Sequence, residues 1–120
     1  MKTIKLPYHR TALDLHIDEK NLKSIITAKI HDYKSELSEE ELIYQALENP
    51  IGTPRLGEIA RGKNKVVLVT SDHTRSVPSK ITLPILLKEI REGNPDADIT
   101  ILIATGLHRA TTEEEQRAMF

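Results

Sequence analysis

The sequence lacks cysteine and tryptophan, and its four aromatic residues are three tyrosines and one phenylalanine. Without cysteine the chain has no disulfide, no thiolate metal site and no thiol nucleophile, so any metal ligand must be a histidine or a carboxylate. The aromatic side chains are too few for a platform that stacks nucleic-acid bases, or for an aromatic belt at a membrane surface. Aliphatic residues must therefore form the core.

The sequence also has no excess of charge of one sign, since it contains 17 Lys and Arg residues and 18 Asp and Glu residues. The net charge of −1 provides no long-range field that would attract a nucleic acid or an anionic membrane. Apolar runs such as 66–69 and 101–104 are far shorter than the roughly 20 residues that span a bilayer, and the first seven residues lack the apolar stretch of a secretory signal. We therefore expect a cytoplasmic protein with no nucleic-acid or membrane partner.

The 120 residues suit one hydrophobic core, and no repeat or long linker divides them, so we predict a single α/β domain over residues 1–120. Alternating apolar and polar residues over 13–17 indicate an N-terminal β-hairpin. Ser38 and Glu41 form a capping box that begins a helix. Thr53-Pro54 supplies an N-cap and a first-turn proline for a second, short helix, and Gly62 fits its left-handed C-cap.

The second half of the chain has the pattern of a βαβ unit. Val66–Val69 is an unbroken apolar run, which is typical of a strand covered on both faces of a parallel sheet. An apolar stripe over 83–90 indicates a helix, and Pro84 places its regular start near Thr82. Asp98–Ala104 is a second buried strand. A strand–helix–strand unit of this kind is a right-handed crossover between parallel strands, so both strands point the same way, and we predict an open twisted sheet with the ligand site at its C-terminal strand edge.

Two polar loops follow the two strands, at residues 70–78 and 105–111. The first loop leads to a helix N-terminus, which favours anions, and Arg75 adds a planar charged fork that can grip a carboxylate or phosphate. Asp72 can hold this arginine or accept a hydroxyl of the ligand. In the structural alternative, Asp72 caps a turn and Arg75 is solvated.

The second loop makes a functional site the better interpretation. Gly106 permits a sharp turn that delivers His108 to the same edge, where an imidazole can take and return a proton near neutral pH. The remaining histidines are expected to be structural, and this includes His73. A further alternative is a metal site formed by Asp72, His73 and His108, although side chains of adjacent residues rarely converge on one ion.

Two motifs at these strand ends carry a resemblance to a known family. Ser-Asp-His-Thr-Arg at 71–75 and Thr-Gly-Leu-His-Arg at 105–109, with the lead-in Asn-Pro-Ile-Gly at 49–52, resemble the N-terminal domain of the nickel-dependent lactate racemase family. The likeness covers most of the chain. Ser76 departs from the pattern, because many relatives have proline there.

The resemblance implies a racemase or epimerase of lactate or another 2-hydroxy acid, with a nickel-pincer nucleotide as its cofactor. This cofactor is a pyridinium mononucleotide whose sulfur groups hold the metal, and it accepts a hydride. By the same resemblance, His108 would remove the proton from the substrate hydroxyl, and Asp72, His73, Thr74 and Arg75 would contact the cofactor. Arg75 is also expected to neutralise the negative charge of the substrate.

The family's second catalytic histidine, its cofactor-anchoring lysine and its nickel-ligating histidine would follow residue 120, so no metal ligand is assigned within the chain. We expect residues 1–120 to be the part of a longer two-domain enzyme that carries one catalytic histidine, with the C-terminal part of the same protein as partner. A helix that opens at Thr111 and Thr112 and runs out at Phe120 without a C-cap agrees with this expectation.

Two other functions stay open at this point. The chain could be a non-catalytic α/β module that binds a nucleotide or phosphate on the loop from Asp72 to Arg75, or it could be purely structural. Replacing His108 with Gln separates the enzyme from the binding module, because a module would keep its affinity and an enzyme would lose turnover.

Overall fold

The computed structural model describes all 120 residues, which form two compact units at 1–35 and 36–120. None of the helices has the length and apolar character needed to cross a membrane. The expectations of a single domain and of a cytoplasmic location stay predictions.

The first unit is built on the predicted antiparallel hairpin, which is confirmed. Strands β1 (Lys2–Tyr8) and β2 (Thr11–Ile17) pair from Lys2 opposite Ile17 to Tyr8 opposite Thr11. His9 makes the turn with a positive φ of 51°. Two short 3-10 helices follow, at Glu19–Asn21 and Lys29–Asp32.

The second unit holds the helices and the parallel strands. Its elements are, in chain order, α1 (Glu39–Glu48), α2 (Leu56–Ala60), β3 (Lys65–Ser71), α3 (Ser79–Gly93), β4 (Asp98–Ala104) and α4 (Glu113–Met119). Strands β3 and β4 are parallel, with Lys65 opposite Asp98 and Ser71 opposite Ala104. The predicted mixed α/β fold with a parallel βαβ unit is therefore confirmed.

Close packing of α2 against α3 centres on two glycines. A Cβ atom on Gly93 would collide with the backbone of Gly57, and one on Gly57 would lie 3.0 Å from the carbonyl oxygen of Glu89. The core beside this contact is small and aliphatic, formed by Ala60, Leu83, Ile85, Ile90 and Ala97. The absence of side chains at the two glycines lets the helices approach until their backbones touch.

Two predicted helix starts are wrong. Helix α2 begins at Leu56 instead of after Thr53, because Arg55 stays extended and its guanidinium pairs with both carboxylate oxygens of Glu89 on α3, each at 3.2 Å. Helix α3 begins at Ser79 and contains Pro84.

The early start of α3 has a local cause. The carbonyl of Pro78 accepts hydrogen bonds from the backbone N–H groups of Ile81 and Thr82, both at 3.0 Å, and so closes the first turn. Pro84 removes only the bond to the carbonyl of Lys80, which is an exposed residue that water can reach. One missing hydrogen bond near the N-terminus does not end the helix.

The expectation that β3 is covered on both faces is wrong for this chain. Thr70 bonds Ser79 of α3 through their hydroxyl oxygens at 3.3 Å, so this helix lies on the face that also carries the half-buried Val66 and Leu68. On the opposite face, Val67 and Val69 are 56% and 67% exposed. The apolar run marks a strand suited to two-sided cover, but only α3 covers it here.

Candidate functional site

The two polar loops leave the sheet side by side. Ser71 and Ala104, the last residues of β3 and β4, are direct partners in the parallel register. Gly106 takes a positive φ of 58°, which turns the second loop immediately after its strand. The backbone N–H of His108 then donates to the carbonyl of Thr105 at 2.9 Å. Parallel pairing and one glycine turn therefore bring the second loop onto the first.

Asp72 is the anchor of this arrangement, and its carboxylate is 3% exposed. One oxygen, Oδ1, accepts hydrogen bonds from the backbone N–H of Thr74 at 3.1 Å and from the Thr74 hydroxyl at 2.6 Å. The other oxygen, Oδ2, lies 2.5 Å from Nδ1 of His108. Two hydrogen bonds hold the pKa of Asp72 well below its ordinary value. The bond from the Thr74 hydroxyl has the larger effect and the bond from His108 the next largest. The carboxylate is therefore ionised throughout the neutral range.

The ionised state of Asp72 decides which nitrogen of His108 carries the proton. A carboxylate only accepts, so Nδ1 must be the donor in their short hydrogen bond. In the neutral imidazole, Nε2 then carries the lone pair. The His108 side chain is 47% exposed, so this lone pair is on a ring that a ligand can reach. The dyad is a base whose tautomer is set by a buried partner.

Arg75 borders the same open pocket, which has a volume of about 320 Å³ and is lined by residues including Ser71, Asp72, Gly106 and His108. Its backbone is part of the turn, since its N–H donates to the carbonyl of Asp72 at 3.2 Å. Its guanidinium is exposed and forms none of the ion pairs of the chain. The alternative that Asp72 holds Arg75 is not realised, because both oxygens of Asp72 are committed elsewhere. Arg75 therefore supplies a positive charge that an anionic ligand can neutralise.

His73 and Thr74 are directed to partners inside the chain. Nε2 of His73 lies 3.3 Å from a carboxylate oxygen of Glu115 in α4, and the Thr74 hydroxyl is bonded to Asp72. Among the four residues predicted to contact a cofactor, Arg75 is thus the one whose side-chain polar group is unengaged. Their roles toward a cofactor stay predictions.

The remaining histidines lie in the first unit, away from the two loops in sequence. His16 of β2 is bonded through Nδ1 to the Thr3 hydroxyl at 2.9 Å, as a structural histidine would be. The alternative of a metal site at Asp72, His73 and His108 has no geometric support, since no group of three or more metal-ligating side chains converges.

Sequence reasoning missed the wider part played by Glu115. The spacing of Thr112 and Glu115 indicates only a helix cap, whereas the Glu115 carboxylate also accepts hydrogen bonds from Arg109 at 2.8 and 2.6 Å. These bonds, followed by that from the backbone N–H of Thr112, lower its pKa to about 2. The only sequence signal was an arginine six residues before a capping glutamate.

Comparison with known proteins gives consistent matches. Residues 8–120 match the family described as the lactate racemase N-terminal domain. Over 120 residues the chain is 49% identical to a lactate racemase of Thermoanaerobacterium thermosaccharolyticum, and it covers 28% of that protein. Over 115 residues it is 46% identical to a lactate racemase of Lactiplantibacillus plantarum, covering 96% of this chain and 27% of the relative.

A solved structure agrees with these matches. The structure of the lactate racemase apoprotein from T. thermosaccharolyticum superimposes with a TM-score of 0.80 and 47% identity, over 99% of this chain and 27% of that chain. The chain thus spans just over a quarter of the length of the curated relatives that it matches.

Proposed function

The chain belongs to the family of the lactate racemase N-terminal domain, and on this basis we propose that it supplies an acid/base histidine and an anion-binding arginine to a racemase of lactate. The observation that carries the proposal is the 2.5 Å bond between buried Asp72 and half-exposed His108 at the mouth of a pocket that Arg75 also borders. The domain that holds the rest of the site is the C-terminal part of the same protein.

His108 acts on the substrate hydroxyl. Its Nε2 lone pair accepts the hydroxyl proton, and the positive charge that develops on the ring is stabilised by Asp72 through the Nδ1 hydrogen bond. When the reaction runs in the opposite direction, the same nitrogen returns the proton to the oxygen, and the acid/base group for the other enantiomer is proposed to lie in the C-terminal part. Asp72 stays ionised throughout, because its hydrogen bonds from Thr74 persist when the ring is charged.

Arg75 binds the substrate carboxylate. The guanidinium is planar and offers two parallel donors, which match the two oxygens of a carboxylate. We expect its partner to come from outside the chain, since no side chain of the chain forms an ion pair with it. A carboxylate and a hydroxyl on the adjacent carbon are common to all 2-hydroxy acids, so the proposal extends to substrates of this class other than lactate.

The residues at this edge also fit a cofactor with an anionic group. Beside the free guanidinium of Arg75, the pocket is lined by the Ser71 hydroxyl and by the glycine turn at Gly106, which leaves the backbone accessible. We propose that these residues, together with the 72–74 backbone, hold part of a nickel-pincer nucleotide. When bound, this cofactor supplies a hydride acceptor for the substrate carbon, and its nickel ligands are proposed to lie in the C-terminal part.

Replacing His108 with Gln in the full-length protein tests the proposal. Gln keeps a polar side chain but cannot accept and return a proton, so we expect kcat for lactate racemisation to fall by about 10² to 10⁴. The matched control is His16→Gln, which changes a histidine that bonds only Thr3 within the hairpin. The control should racemise lactate at the wild-type rate.

Wild-type turnover in His108→Gln would refute the catalytic role. If wild type and His108→Gln bind a phosphate-bearing nucleotide through Arg75 with equal affinity, and neither turns over lactate, the protein is instead the non-catalytic module.

A further inference from the structure

Glu115 has more partners than its place in helix α4 requires. Its Oε1 accepts from Nη2 of Arg109 at 2.6 Å and lies 3.3 Å from Nε2 of His73. Its Oε2 accepts from Nη1 of Arg109 at 2.8 Å and from the backbone N–H of Thr112 at 2.8 Å. The carboxylate is 23% exposed. Three hydrogen-bond donors and the imidazole of His73 thus converge on one side chain.

Helix capping accounts for only one of these bonds. The other capping box of the chain, at the start of α1, provides the comparison, because Glu41 accepts from the backbone N–H of Ser38 at 2.7 Å and forms no ion pair. A capping glutamate therefore does not need the arginine or the histidine. The additional partners of Glu115 connect α4 to the two site loops.

The positions of these partners in the sequence are informative. Arg109 directly follows His108, and His73 directly follows Asp72. Each member of the Asp72 and His108 dyad is thus followed by a residue that Glu115 holds. Glu115 consequently joins the same two loops that the dyad joins, through a second and independent set of contacts.

We propose that Glu115 is a positioning residue that clamps the 105–111 loop to the 70–78 loop and so keeps the His108 ring on Asp72. This inference rests on the proposed function of His108. The 105–111 loop has no regular secondary structure, and the imidazole is half exposed, so local packing alone provides little to hold the ring. The bidentate pair with Arg109 supplies an orientation that a single hydrogen bond would not.

A misplacement of about 1 Å of a catalytic group can cost on the order of a hundredfold in rate. Because the Asp72 bond remains available without the clamp, we expect a smaller loss, on the order of tenfold. The loss should fall on kcat, since Arg75, the proposed substrate-binding residue, forms no ion pair with Glu115.

The experiment compares Glu115→Gln with Glu41→Gln in the full-length protein. Gln at this position still completes a capping box, so both variants keep their helix starts, and only Glu115→Gln loses the charge that holds Arg109 and His73. We expect kcat for lactate racemisation to fall about tenfold in Glu115→Gln with KM within twofold, and to stay at the wild-type value in Glu41→Gln. In ¹⁵N-histidine spectra, the signal of the protonated Nδ1 of His108 should broaden or shift only in Glu115→Gln.

Equal kcat values and unchanged His108 signals in both variants would overturn the clamp. If Glu115→Gln fails to fold, Arg109→Gln takes its place with Arg117→Gln as control, because this pair leaves the capping box intact, and the same two readouts decide. His108→Gln separates the two proposals: full activity in that variant refutes the proposed function, whereas its inactivity together with wild-type behaviour of Glu115→Gln refutes only the clamp.

Discussion

Replacing Asp72 with Asn is the sharpest test of the dyad, because the structure dictates how the new side chain will be oriented. Asn keeps the shape of Asp but exchanges one oxygen for an NH₂ group. The backbone N–H of Thr74 can only donate, and it points at Oδ1 from 3.1 Å. The amide oxygen must therefore stay on the Thr74 side, which directs the NH₂ group at Nδ1 of His108.

This orientation reverses the tautomer of His108. An NH₂ group donates, so Nδ1 becomes an acceptor and the ring proton moves to Nε2. Nε2 then has no lone pair with which to take the hydroxyl proton. A wrong tautomer in a comparable histidine and carboxylate pair costs about 10⁴ in kcat. Because His108 is 47% exposed and can rotate in part toward water, we expect a loss of about 10² to 10⁴.

The assay combines lactate racemisation with ¹⁵N chemical shifts of His108 in the full-length protein. The two ring nitrogens should exchange their protonated and unprotonated shifts in Asp72→Asn. The control is Asp14→Asn, an exposed residue of β2, which should change neither readout. A kcat within twofold of wild type, or a His108 ring that keeps its proton on Nδ1 in Asp72→Asn, would refute the reasoning.

Four further outcomes are expected. Arg75→Lys should lower kcat/KM for lactate by about tenfold to a hundredfold, because Lys lacks the two-pronged geometry and hydrogen bonds to charged groups contribute about 1.5–3 kcal/mol each. Steady-state kinetics test this with exposed Arg117→Lys as the control, and equal kcat/KM values for the two variants would contradict it. Gly93→Ala should reduce the free energy of unfolding by about 1–3 kcal/mol, because the new Cβ would overlap the backbone of Gly57, whereas Gly to Ala in a helix usually stabilises. Urea unfolding measures this free energy, and a higher value in Gly93→Ala would show that the helices move apart freely. The stabilisation from Glu115 should be fully present above its ordinary pKa of 4.5 and be lost as pH falls toward its folded pKa of about 2, because the unfolded state binds the proton first. The difference in the free energy of unfolding between wild type and Glu115→Gln, measured with urea, should therefore shrink from pH 5 to pH 2. A difference that stays constant over this range would contradict the prediction. The 120-residue chain alone, supplied with the intact cofactor, should neither racemise lactate nor retain nickel after dialysis, since no three metal-ligating side chains converge. Stoichiometric nickel on the chain would refute the proposal that the nickel ligands lie in the C-terminal part.

Much of the fold followed from patterns within a few residues. The capping boxes at Ser38 and Thr112 and the alternation in β2 depend on side chains and backbone groups that are neighbours in the chain. The parallel direction of β3 and β4 followed from the helical crossover that connects them. For this reason the sequence predicted that the loops carrying Asp72 and His108 emerge at one edge of the sheet.

Long-range contacts decided the points that the sequence missed. Arg55 delays the start of α2 through a pair with Glu89, 34 residues away. The bond from His108 to Asp72 spans 36 residues. The sequence offered the arginine and a ligand as partners of Asp72, and only the folded chain showed that Thr74 and His108 occupy both of its oxygens.

The sequence by itself therefore determined which residues are proposed to carry the chemistry, because residue type and position after a strand are local properties. The tertiary structure alone decided how those residues are paired. A carboxylate bonds whichever donors the fold places within about 3 Å, and that distance is set by strand register and by the turn at Gly106. The tautomer of His108 and the clamp at Glu115 both follow from such pairings.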